Sequence, residues 1–416
     1  MLNSLSITRW RQFDRLSIEL HPRLTVIVGA NGTGKSSILH ILASFNRSTA
    51  PTLTSFPATP SACISGKVEW STNYYGDTKR YEKDTIRVGS IEFATGKRSA
   101  IITKRNSGKE SSLYLAKSTK ISGTHIASAR MPSPRVPIAN PNQIPDSIRD
   151  LLTAYLTNYR RLIQDDRKKE DYVHPWSILK GWLFRLCSTS SSNKYNRGDL
   201  GNENHLRNFC NLLKQIFPEQ LKFLHFEVCG KNLICKTELN EFSFDSLSGG
   251  LASLLEITFQ LYLCSLQHDE FIVTFDEPEN HLHASMQMRL LGTLCAAFPK
   301  AQFIVATHSP VMVNSLETSK IYILRWTSDS HVSAESLSGF RMSSSADEVL
   351  RDVIGTTSSI PLWASNKLQV ILEKYRSTDF DRQVIENFYS DLRTAGLEQF
   401  SLSSLTELTR THDQNR

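Results

Sequence analysis

The chain has 416 residues, of which 40% are hydrophobic and 21% charged, and its formal net charge at pH 7 is +7. This length predicts about two or three lobes. No apolar run reaches the ~18 residues of a membrane span, and the charged, alternating N-terminus does not resemble a signal peptide. The 7 cysteines form no CxxC pair. We therefore expect a protein of the reducing cytoplasm that does not contact a membrane.

The excess of positive charge is concentrated in one region. Residues 76–149 hold fourteen basic and six acidic side chains, a surplus that accounts for the whole net charge. One interpretation is a face that binds nucleic acid. The other is a set of solvated strand edges protected by Lys and Arg side chains. The sequence leaves both interpretations open.

The predicted elements begin with two strands over residues 1–28, and the second of these, Leu24–Val28, is nearly all apolar. A glycine-rich loop and a helix follow, up to about residue 45. Short β-prone runs then occur between residues 67 and 126, and their turn residues predict an antiparallel lobe. Five prolines within residues 131–145 mark a boundary.

Helical patterns cover residues 146–217, and two short strands are predicted over 222–228 and 232–237. A helical tail is predicted from about residue 345 onward. These limits divide the chain into five parts: an N-terminal part of the head, a basic β-rich lobe, a helical insert, a C-terminal part of the head and the tail, at residues 1–66, 67–145, 146–220, 221–340 and 341–416.

A phosphate-binding loop is predicted at residues 29–36, where GANGTGKS matches the Walker A pattern GxxxxGK[ST]. The loop lies between a buried strand and a helix start, where backbone N–H groups and the helix dipole favour bound phosphate. Lys35 is expected to reach the terminal phosphates, and Ser36 to hold Mg²⁺. The candidate nucleotide-binding residues of the loop are Asn31, Gly32, Thr33, Gly34, Lys35, Ser36 and Ser37.

Two further strands end in residues that suit hydrolysis. The apolar run FIVTF is followed by Asp276 and Glu277. Asp276 is the candidate for holding Mg²⁺ through water, and Glu277 is the candidate general base. The next apolar run, FIVAT, is followed by His308. A lone histidine after a strand is usually structural, but at this strand end it is placed to sense the terminal phosphate.

A second anion site is predicted in residues 244–250, FDSLSGG, which open the apolar run LASLLEITFQLYL. Ser248 is expected to cap the helix, and Gly249 and Gly250 would present backbone N–H groups at its N-terminus. One nucleotide does not need two helix N-termini on opposite sides within one subunit. We therefore expect this segment to bind the nucleotide of a partner subunit.

In this order the four motifs resemble those of ABC-type ATPases of the SMC/RecF/OLD branch. The N-terminal Trp10, Arg11 and Phe13 resemble the aromatic-Arg-x-aromatic segment that precedes Walker A in that branch. The segment DEPENHLH, residues 276–283, resembles the DEPE-x-x-LH of its RecF- and OLD-like members. The resemblance covers residues 1–45 and about 240–330.

The resemblance implies an α/β fold: an ABC-type P-loop ATPase head with an antiparallel β lobe, a helical insert and a helical C-terminal tail. It implies ATP and Mg²⁺ as cofactors, and a homodimer or higher homo-oligomer that closes on ATP with His283 at its face. The glutamine usual in such heads is not in the expected place, and Arg130 or Gln143 would substitute for it. The residues with implied catalytic or nucleotide contacts are Lys35, Glu277, His308, Arg11, Ser248, Gly249 and Gly250.

Two departures from the branch bear on function. The insert holds short helices in place of the long coiled coils of SMC proteins. The DxD pattern after His308, Asp379 to Asp381, lies too near the end of the sequence and in a predicted helical tail, so we predict no TOPRIM nuclease. The chain is thus similar to the ATPase subunits of bacterial anti-phage systems of the Septu, retron and PARIS types. That resemblance implies a switch that controls a separate effector, a nuclease or toxin.

Two other functions stay open at this point. A RecF-like DNA-repair ATPase would bind DNA through the basic lobe. A nucleotide-binding scaffold with negligible turnover is disfavoured, because the residues needed for hydrolysis are all present: Lys35, Asp276, Glu277 and His308.

Overall fold

The computed structural model divides into two compact units, Met1–Ser344 and Ser345–Arg416. The predicted boundaries between the five parts stay predictions, and the first residues of the predicted tail lie outside the described part of the chain. The structure describes residues 1–45, 60–64, 67–70, 85–104, 113–116, 121–130, 136–140, 143–163, 171–191, 200–313, 319–337, 362–375 and 382–398.

An antiparallel sheet opens the first unit. Its members are β1 (Leu2–Trp10), β2 (Phe13–Glu19), β6 (Thr85–Phe93), β7 (Arg98–Lys104) and β8 (Leu113–Leu115), in the order β2-β1-β6-β7-β8. Two shorter strands, β4 (Pro60–Ile64) and β5 (Lys67–Trp70), pair with each other. Burial alternates along β2, as expected for a sheet with one face on the core. The β-prone runs after residue 84 therefore extend the sheet that the N-terminal strands begin.

A mainly parallel sheet forms the centre of the unit. Its members are β3 (Leu24–Gly29), β9 (Gly123–Ile126), β13 (Phe271–Asp276), β14 (Ala301–Ala306), β15 (Lys320–Trp326) and β16 (Val332–Ser336), in the order β16-β15-β3-β14-β13-β9. Only β16 runs antiparallel to its neighbour among these strands. Every residue of β3, β13 and β14 is buried, which explains their continuous apolar sequences.

The prediction that the run around residues 123–126 belongs to the antiparallel lobe is wrong. This strand, β9, pairs in parallel with β13, with Gly123 opposite Ile272 and Ile126 opposite Phe275. A Cβ on Gly123 would lie 1.9 Å from the Ile272 carbonyl oxygen, so the close approach of the two strands requires glycine there. A four-residue run carries no local signal of which distant strand it joins, so the sequence alone did not reveal this pairing.

One hydrophobic core joins the two sheets and the first helix, α1 (Lys35–Ser44). Trp10 and Phe13 from the antiparallel sheet pack in the same cluster as Leu324 from the parallel sheet and Ile38 and Leu42 from α1. This packing fixes the end of β3 and the start of α1 between two sheets. The predicted phosphate loop is therefore held on a rigid support.

The remaining helices of the first unit are α2 (Ile148–Ile163), α3 (Pro175–Ser191), α4 (Leu200–Ile216), α5 (Gly249–Gln267), α6 (Ala284–Ala297) and the short α7 (Pro310–Val313). The helical insert predicted over 146–217 thus contains α2, α3 and α4. A small sheet of β10 (Phe223–Cys229), β11 (Asn232–Thr237) and β12 (Glu241–Ser243) leads from the insert to α5.

Aromatic side chains bind the insert to α5. Tyr155 of α2 and Trp182 of α3 each lie 5.2 Å from Phe259 of α5, measured between ring centroids, and Phe209 of α4 lies 5.4 Å from Tyr262. Among the described helices only α5 is long and apolar enough to span a membrane, and 72% of that stretch is buried inside the protein. This is the burial expected of a core helix.

The second unit contains two helices in its described residues, α8 (Leu362–Tyr375) and α9 (Arg382–Thr394). They share a small core of Ala364, Leu368, Tyr375, Phe388, Leu392 and Leu397. The Tyr375 hydroxyl donates a hydrogen bond to Asp391, and Lys374 forms a 2.7 Å ion pair with the same carboxylate.

Candidate nucleotide-binding and hydrolysis site

The predicted phosphate loop connects β3 to α1, as its motif requires. Gly32 and Gly34 have φ values of 82° and 93°, in the left-handed region that favours glycine. A Cβ on Gly34 would lie 2.7 Å from the Phe13 ring, so this position also lacks space for a side chain. Thr33 is buried and Asn31 is exposed. The loop is therefore shaped by backbone conformations that other residues would strain.

Lys35 is the first residue of α1 and is only 5% exposed. Its Nζ donates to the carbonyl oxygens of Gly29 at 2.9 Å and Ala30 at 3.1 Å, so the ammonium lies inside the curve of the loop. Burial lowers the pKa of Lys35, and the neighbouring carboxylates, Asp276 first among them, oppose that shift. The ammonium is thus placed where bound phosphate would replace the carbonyl oxygens as its partner.

Ser36 and Asp276 meet at the end of β13. The Ser36 hydroxyl lies beside the Asp276 carboxylate, and Asp276 is 5% exposed. Burial raises the pKa of Asp276 to about 6, and Glu277 adds to the rise while Ser36 and Lys35 oppose it. The Asp276 Oδ1 atom is buried and has no hydrogen-bond partner within the described structure. A buried carboxylate oxygen without a partner, beside a hydroxyl, suits Mg²⁺, which prefers oxygen ligands.

The predicted general base and phosphate sensor also come together. Glu277 Oε1 lies 3.7 Å from His308 Nε2, and both side chains are about one-third exposed, at 34% and 32%. Burial lowers the pKa of His308, with a smaller contribution from Lys35, while Glu277 opposes the shift. The imidazole is therefore mainly neutral at pH 7, and its contact with Glu277 is not a full ion pair.

Sequence reasoning missed Glu279, the third acid of the segment after β13. Its Oε1 atom accepts hydrogen bonds from the Thr307 hydroxyl at 2.7 Å and from the backbone N–H groups of His308 at 2.8 Å and Ser309 at 3.1 Å. Glu279 thus fixes the turn that carries His308. The spacing of three acids within DEPE was the available signal, but it does not show which acid turns toward the next strand end.

Arg11 lies beside the start of α1, where the motif resemblance implied a nucleotide contact. Its Nη1 donates to the Ser37 hydroxyl at 2.7 Å, and its guanidinium lies 4.2 Å from the centroid of the Trp10 ring. Arg11 has a φ of 54°, so the turn between β1 and β2 is held in an uncommon conformation. This places a fixed positive charge next to the first turn of the phosphate-binding helix.

The predicted second anion site is the first turn of α5. Ser248 caps this helix, as predicted, by accepting a 3.4 Å hydrogen bond from the Leu251 N–H. Ser248 and Gly249 are exposed, and a Cβ on Gly249 would meet no atom within 4 Å. A Cβ on Gly250 would lie 3.1 Å from the His281 carbonyl oxygen. In the described structure no hydrogen bond joins this turn to the Walker A loop.

The structure distinguishes the two residues considered for the missing glutamine. Arg130 is 4% exposed, and its Nη2 donates to the Glu277 carbonyl oxygen at 2.7 Å. Gln143 is exposed and hydrogen-bonds locally with Asn140. Arg130 is therefore the residue near the hydrolytic groups. His283 caps α6 through its Nδ1 atom, and its role at a dimer face stays a prediction.

A model of the RecF/RecN/SMC N terminal domain family matches residues 1–329 of the chain. The match covers most of the sequence and includes all four motifs. The chain therefore belongs to the RecF/RecN/SMC N-terminal-domain family. Together with the parallel sheet, the phosphate loop and the adjoining antiparallel sheet, this match confirms the predicted α/β fold class of an ABC-type ATPase head.

Three curated relatives refine this assignment. The Septu protein PtuA of Bacillus thuringiensis is 26% identical over 191 residues, which cover 42% of this chain and 47% of the relative. The retron Ec83 probable ATPase of Escherichia coli is 39% identical over 184 residues, covering 42% and 32%. The retron Vc95 probable ATPase of Vibrio cholerae serotype O1 biovar El Tor is 31% identical over 106 residues, covering 26% and 20%. The chain thus spans less than half the length of each, and its predicted similarity to Septu and retron ATPases is confirmed.

Solved structures similar to the chain include two SMC heads. The SMC head domain from Thermotoga maritima is 14% identical with a TM-score of 0.41, covering 81% of this chain and 98% of that one. The Pyrococcus furiosus Smc head domain with an extended coiled coil, bound to the C-terminal domain of ScpA, is 14% identical with a TM-score of 0.45, covering 81% and 96%.

Proposed function

We propose that the protein hydrolyses ATP to ADP and phosphate and uses the nucleotide to control its association with a second copy. One observation carries this proposal: the groups needed for hydrolysis lie together at the carboxyl ends of β3, β13 and β14. These groups are Lys35, Ser36, Asp276, Glu277 and His308. Family membership and two relatives named as probable ATPases support the same reaction.

Each residue has a distinct proposed role. Lys35 and the first turn of α1 bind the β- and γ-phosphates. Ser36 and Asp276 would hold Mg²⁺, which neutralises phosphate charge when bound. Glu277 accepts the proton of the attacking water, and the neutral His308 donates a hydrogen bond to the γ-phosphate. Among the described residues no group of three or more His, Cys, Asp and Glu suits a metal, so the ion would need phosphate oxygens to complete its ligands.

Association with a second copy is proposed from the first turn of α5. This turn has a helix N-terminus and an exposed Gly249, and residues 246–253 contain no Lys or Arg. A phosphate bound to another subunit would supply the anion for this helix N-terminus. In a two-fold dimer, the first turn of α5 in each copy would contact the nucleotide bound by the other copy. ATP would then close two heads on each other, and hydrolysis would release them.

A mass measurement tests this association. Glu277→Gln retains bound ATP in the closed state, so light scattering is expected to show a larger mass with Mg·ATP than with Mg·ADP. Gly249→Asp in the same background places a negative charge against the incoming phosphate and should abolish the increase. Gly249→Ala is the matched control, because both side chains have space at this position. If the Gly249→Asp double variant still gains mass with Mg·ATP, the proposed interface is wrong.

We propose a role in anti-phage defence, in which the ATP-controlled heads hold or release a separate effector, a nuclease or toxin. The Septu and retron relatives support this role. Six cysteines, at positions 187, 210, 229, 235, 264 and 295, are free thiols, which fits a reducing cytoplasm. Co-expression with neighbouring genes and purification through this chain tests the proposal. A nuclease that co-purifies and dissociates on hydrolysis supports it, and stoichiometric binding to gapped DNA alone supports the RecF-like repair function instead.

The basic lobe at 76–149 stays a predicted nucleic-acid contact. Several of its basic residues lie outside the described residues, namely Lys79, Arg80, Lys83, Arg105, Lys109, Lys117, Lys120 and Arg135. Lys97 and Arg98 are exposed at the start of β7, and Arg98 forms a 2.8 Å ion pair with Glu92. Replacing Lys97, Arg98, Lys104 and Arg105 together with Ala should weaken DNA binding and flatten its salt dependence. Unchanged affinity across salt concentrations would exclude this contact.

A further inference from the structure

Arg130 is a buried cation that joins two segments of the hydrolytic machinery. Its Nε donates to the Ser253 hydroxyl on α5 at 3.0 Å, and its Nη2 donates to the carbonyl oxygens of Glu277 at 2.7 Å and Asn280 at 3.1 Å. Asn280 Nδ2 in turn donates to Glu277 Oε2 at 2.9 Å. One guanidinium thus connects the helix that follows the exposed Gly249 with the turn that carries the general base.

That turn has an uncommon backbone conformation. Glu277 and His281 have φ values of 45° and 68°, in the left-handed region that non-glycine residues seldom occupy. Such conformations persist only where the surrounding contacts determine them. Arg130 supplies contacts along the whole turn, since its own carbonyl oxygen lies 3.1 Å from His281 Nε2. The orientation of the Glu277 side chain therefore depends on the position of Arg130.

Side chains of α5 and of the insert helix α2 fix the position of Arg130. Glu256 of α5 is fully buried near the guanidinium and attracts it, and the Tyr155 hydroxyl of α2 donates to Glu256 Oε1 at 2.9 Å. Tyr159 of α2 donates to the Ala129 carbonyl oxygen at 2.5 Å. The guanidinium is thus directed at protein acceptors and not toward the phosphate loop.

We propose that Arg130 is a positioning residue. It orients the Glu277 carboxylate toward the attacking water, and this orientation depends on where the first turns of α5 lie. The inference rests on the proposed ATP hydrolysis and deepens it. A phosphate bound to the partner subunit would contact the first turn of α5 at Gly249 and fix the position of this helix. The hydrogen bonds from Arg130 to Ser253 and to the Glu277 carbonyl oxygen would then fix the backbone of Glu277. Hydrolysis would then depend on the closed pair of heads without any direct contact between Arg130 and nucleotide.

The test compares turnover and nucleotide binding in the full chain. Arg130→Lys keeps the charge but cannot form the forked contacts, so kcat should fall by about 100-fold, as expected for a misplaced catalytic group, while the Kd for Mg·ATP is unchanged. Ser253→Ala removes one hydroxyl and should lower kcat by about fivefold. Tyr262→Phe is the matched control: it removes a buried hydroxyl bonded to His205 at the far end of the same helix, and kcat should not change.

Combination with Glu277→Gln separates positioning from a general structural role. If Arg130 acts through Glu277, Arg130→Lys should cause no further loss of kcat in the Glu277→Gln background, because the base is already absent. Fully additive losses, or a weakened Kd with unchanged kcat, would overturn the inference. Should Arg130→Lys fail to fold, the same comparison with Ser253→Ala decides. An unmutated chain without ATPase activity would instead refute the proposed function itself.

Discussion

The helices α1 and α5 both begin at a predicted phosphate site, and their first turns differ in almost every other respect. At α1 Lys35 is 5% exposed, and the Ser36 hydroxyl lies beside the buried Asp276 carboxylate. At α5 the cap Ser248 and the adjacent Gly249 are exposed, and a Cβ on Gly249 would meet nothing within 4 Å. Both turns offer backbone N–H groups and a helix dipole to an anion.

A helix N-terminus alone therefore does not make a complete phosphate-binding site. The start of α1 has a cation, a hydroxyl and carboxylates of its own, so it can bind and process a nucleotide phosphate. The start of α5 offers backbone N–H groups and the Ser248 hydroxyl but no charged side chain, so it can contribute to a site whose charges belong to another molecule. In the proposed pair of heads, α1 is the half that binds the nucleotide and α5 is the half supplied to the partner.

The largest expected effect is on turnover at the α1 half. Glu277→Gln removes the proton acceptor and should lower kcat by about 10²–10⁴-fold, the usual contribution of general acid–base catalysis. The Kd for Mg·ATP should stay the same, because Glu277 is not among the phosphate ligands. Single-turnover kinetics and equilibrium binding measure the two quantities. An unchanged kcat would show that another group activates water.

Lys35→Ala tests whether the α1 half alone provides binding. Loss of a charge-assisted contact to phosphate costs about 1.5–3 kcal/mol, so the affinity for ATP should fall by about 10- to 150-fold. Gly249→Asp should leave that affinity unchanged in a monomer. Isothermal titration with Mg·ATP at low protein concentration compares the two variants. Equal losses of ATP affinity in the two variants would show that α5 also binds the nucleotide of its own subunit, which contradicts the proposed difference between α1 and α5.

The buried Glu256 carboxyl of α5 should make the folding stability of the protein depend on pH. Burial raises the pKa of Glu256 to about 7, while the hydrogen bond from Tyr155 and the charge of Arg130 oppose the rise. The folded protein then holds this proton more tightly than the unfolded chain does. The stability that this group contributes is present at low pH and is lost as pH rises from about 4.5 through 7.

Glu256→Gln should therefore change stability in a pH-dependent way. The unfolding free energy of the unmutated protein minus that of Glu256→Gln should be smaller at pH 8 than at pH 5, by ~2 kcal/mol. Thermal unfolding of both chains at the two pH values measures this difference. A difference that does not change with pH would show that the carboxyl is already ionised at pH 5.

The smallest expected effect concerns the cap of α5. Ser248→Ala removes the hydrogen bond to the Leu251 N–H and should cost ~1 kcal/mol of helix stability. Asp or Asn at this position keeps an acceptor and should restore the loss, which makes Ser248→Asn the matched control. Hydrogen exchange of the first turn of α5 measures the local change. Equal protection in Ser248→Ala and the parent would mean that the cap does not stabilise this turn.

The sequence predicted the parts of the molecule whose signals are local. Walker A, the apolar strands before Asp276 and His308 and the cap at Ser248 each follow from a short run of residues and its physical constraints. The pairing of β9 with β13 and the contacts of Glu279 and Arg130 were not predicted. Arg130 reaches Ser253 across 123 positions and Glu277 across 147, and a single sequence carries no trace of such a contact.

A mixing experiment tests the central claim, that one active site is built from α1 of one copy and α5 of another. Glu277→Gln and Gly249→Asp should each be inactive alone, but a mixed pair has one site in which Glu277 faces an intact Gly249. Equal mixing should therefore restore activity, up to about one quarter of the rate of the unmutated protein, a value reached when half of the pairs are mixed and each has one intact site. No recovery in the mixture, or full activity of Gly249→Asp alone, would contradict the account.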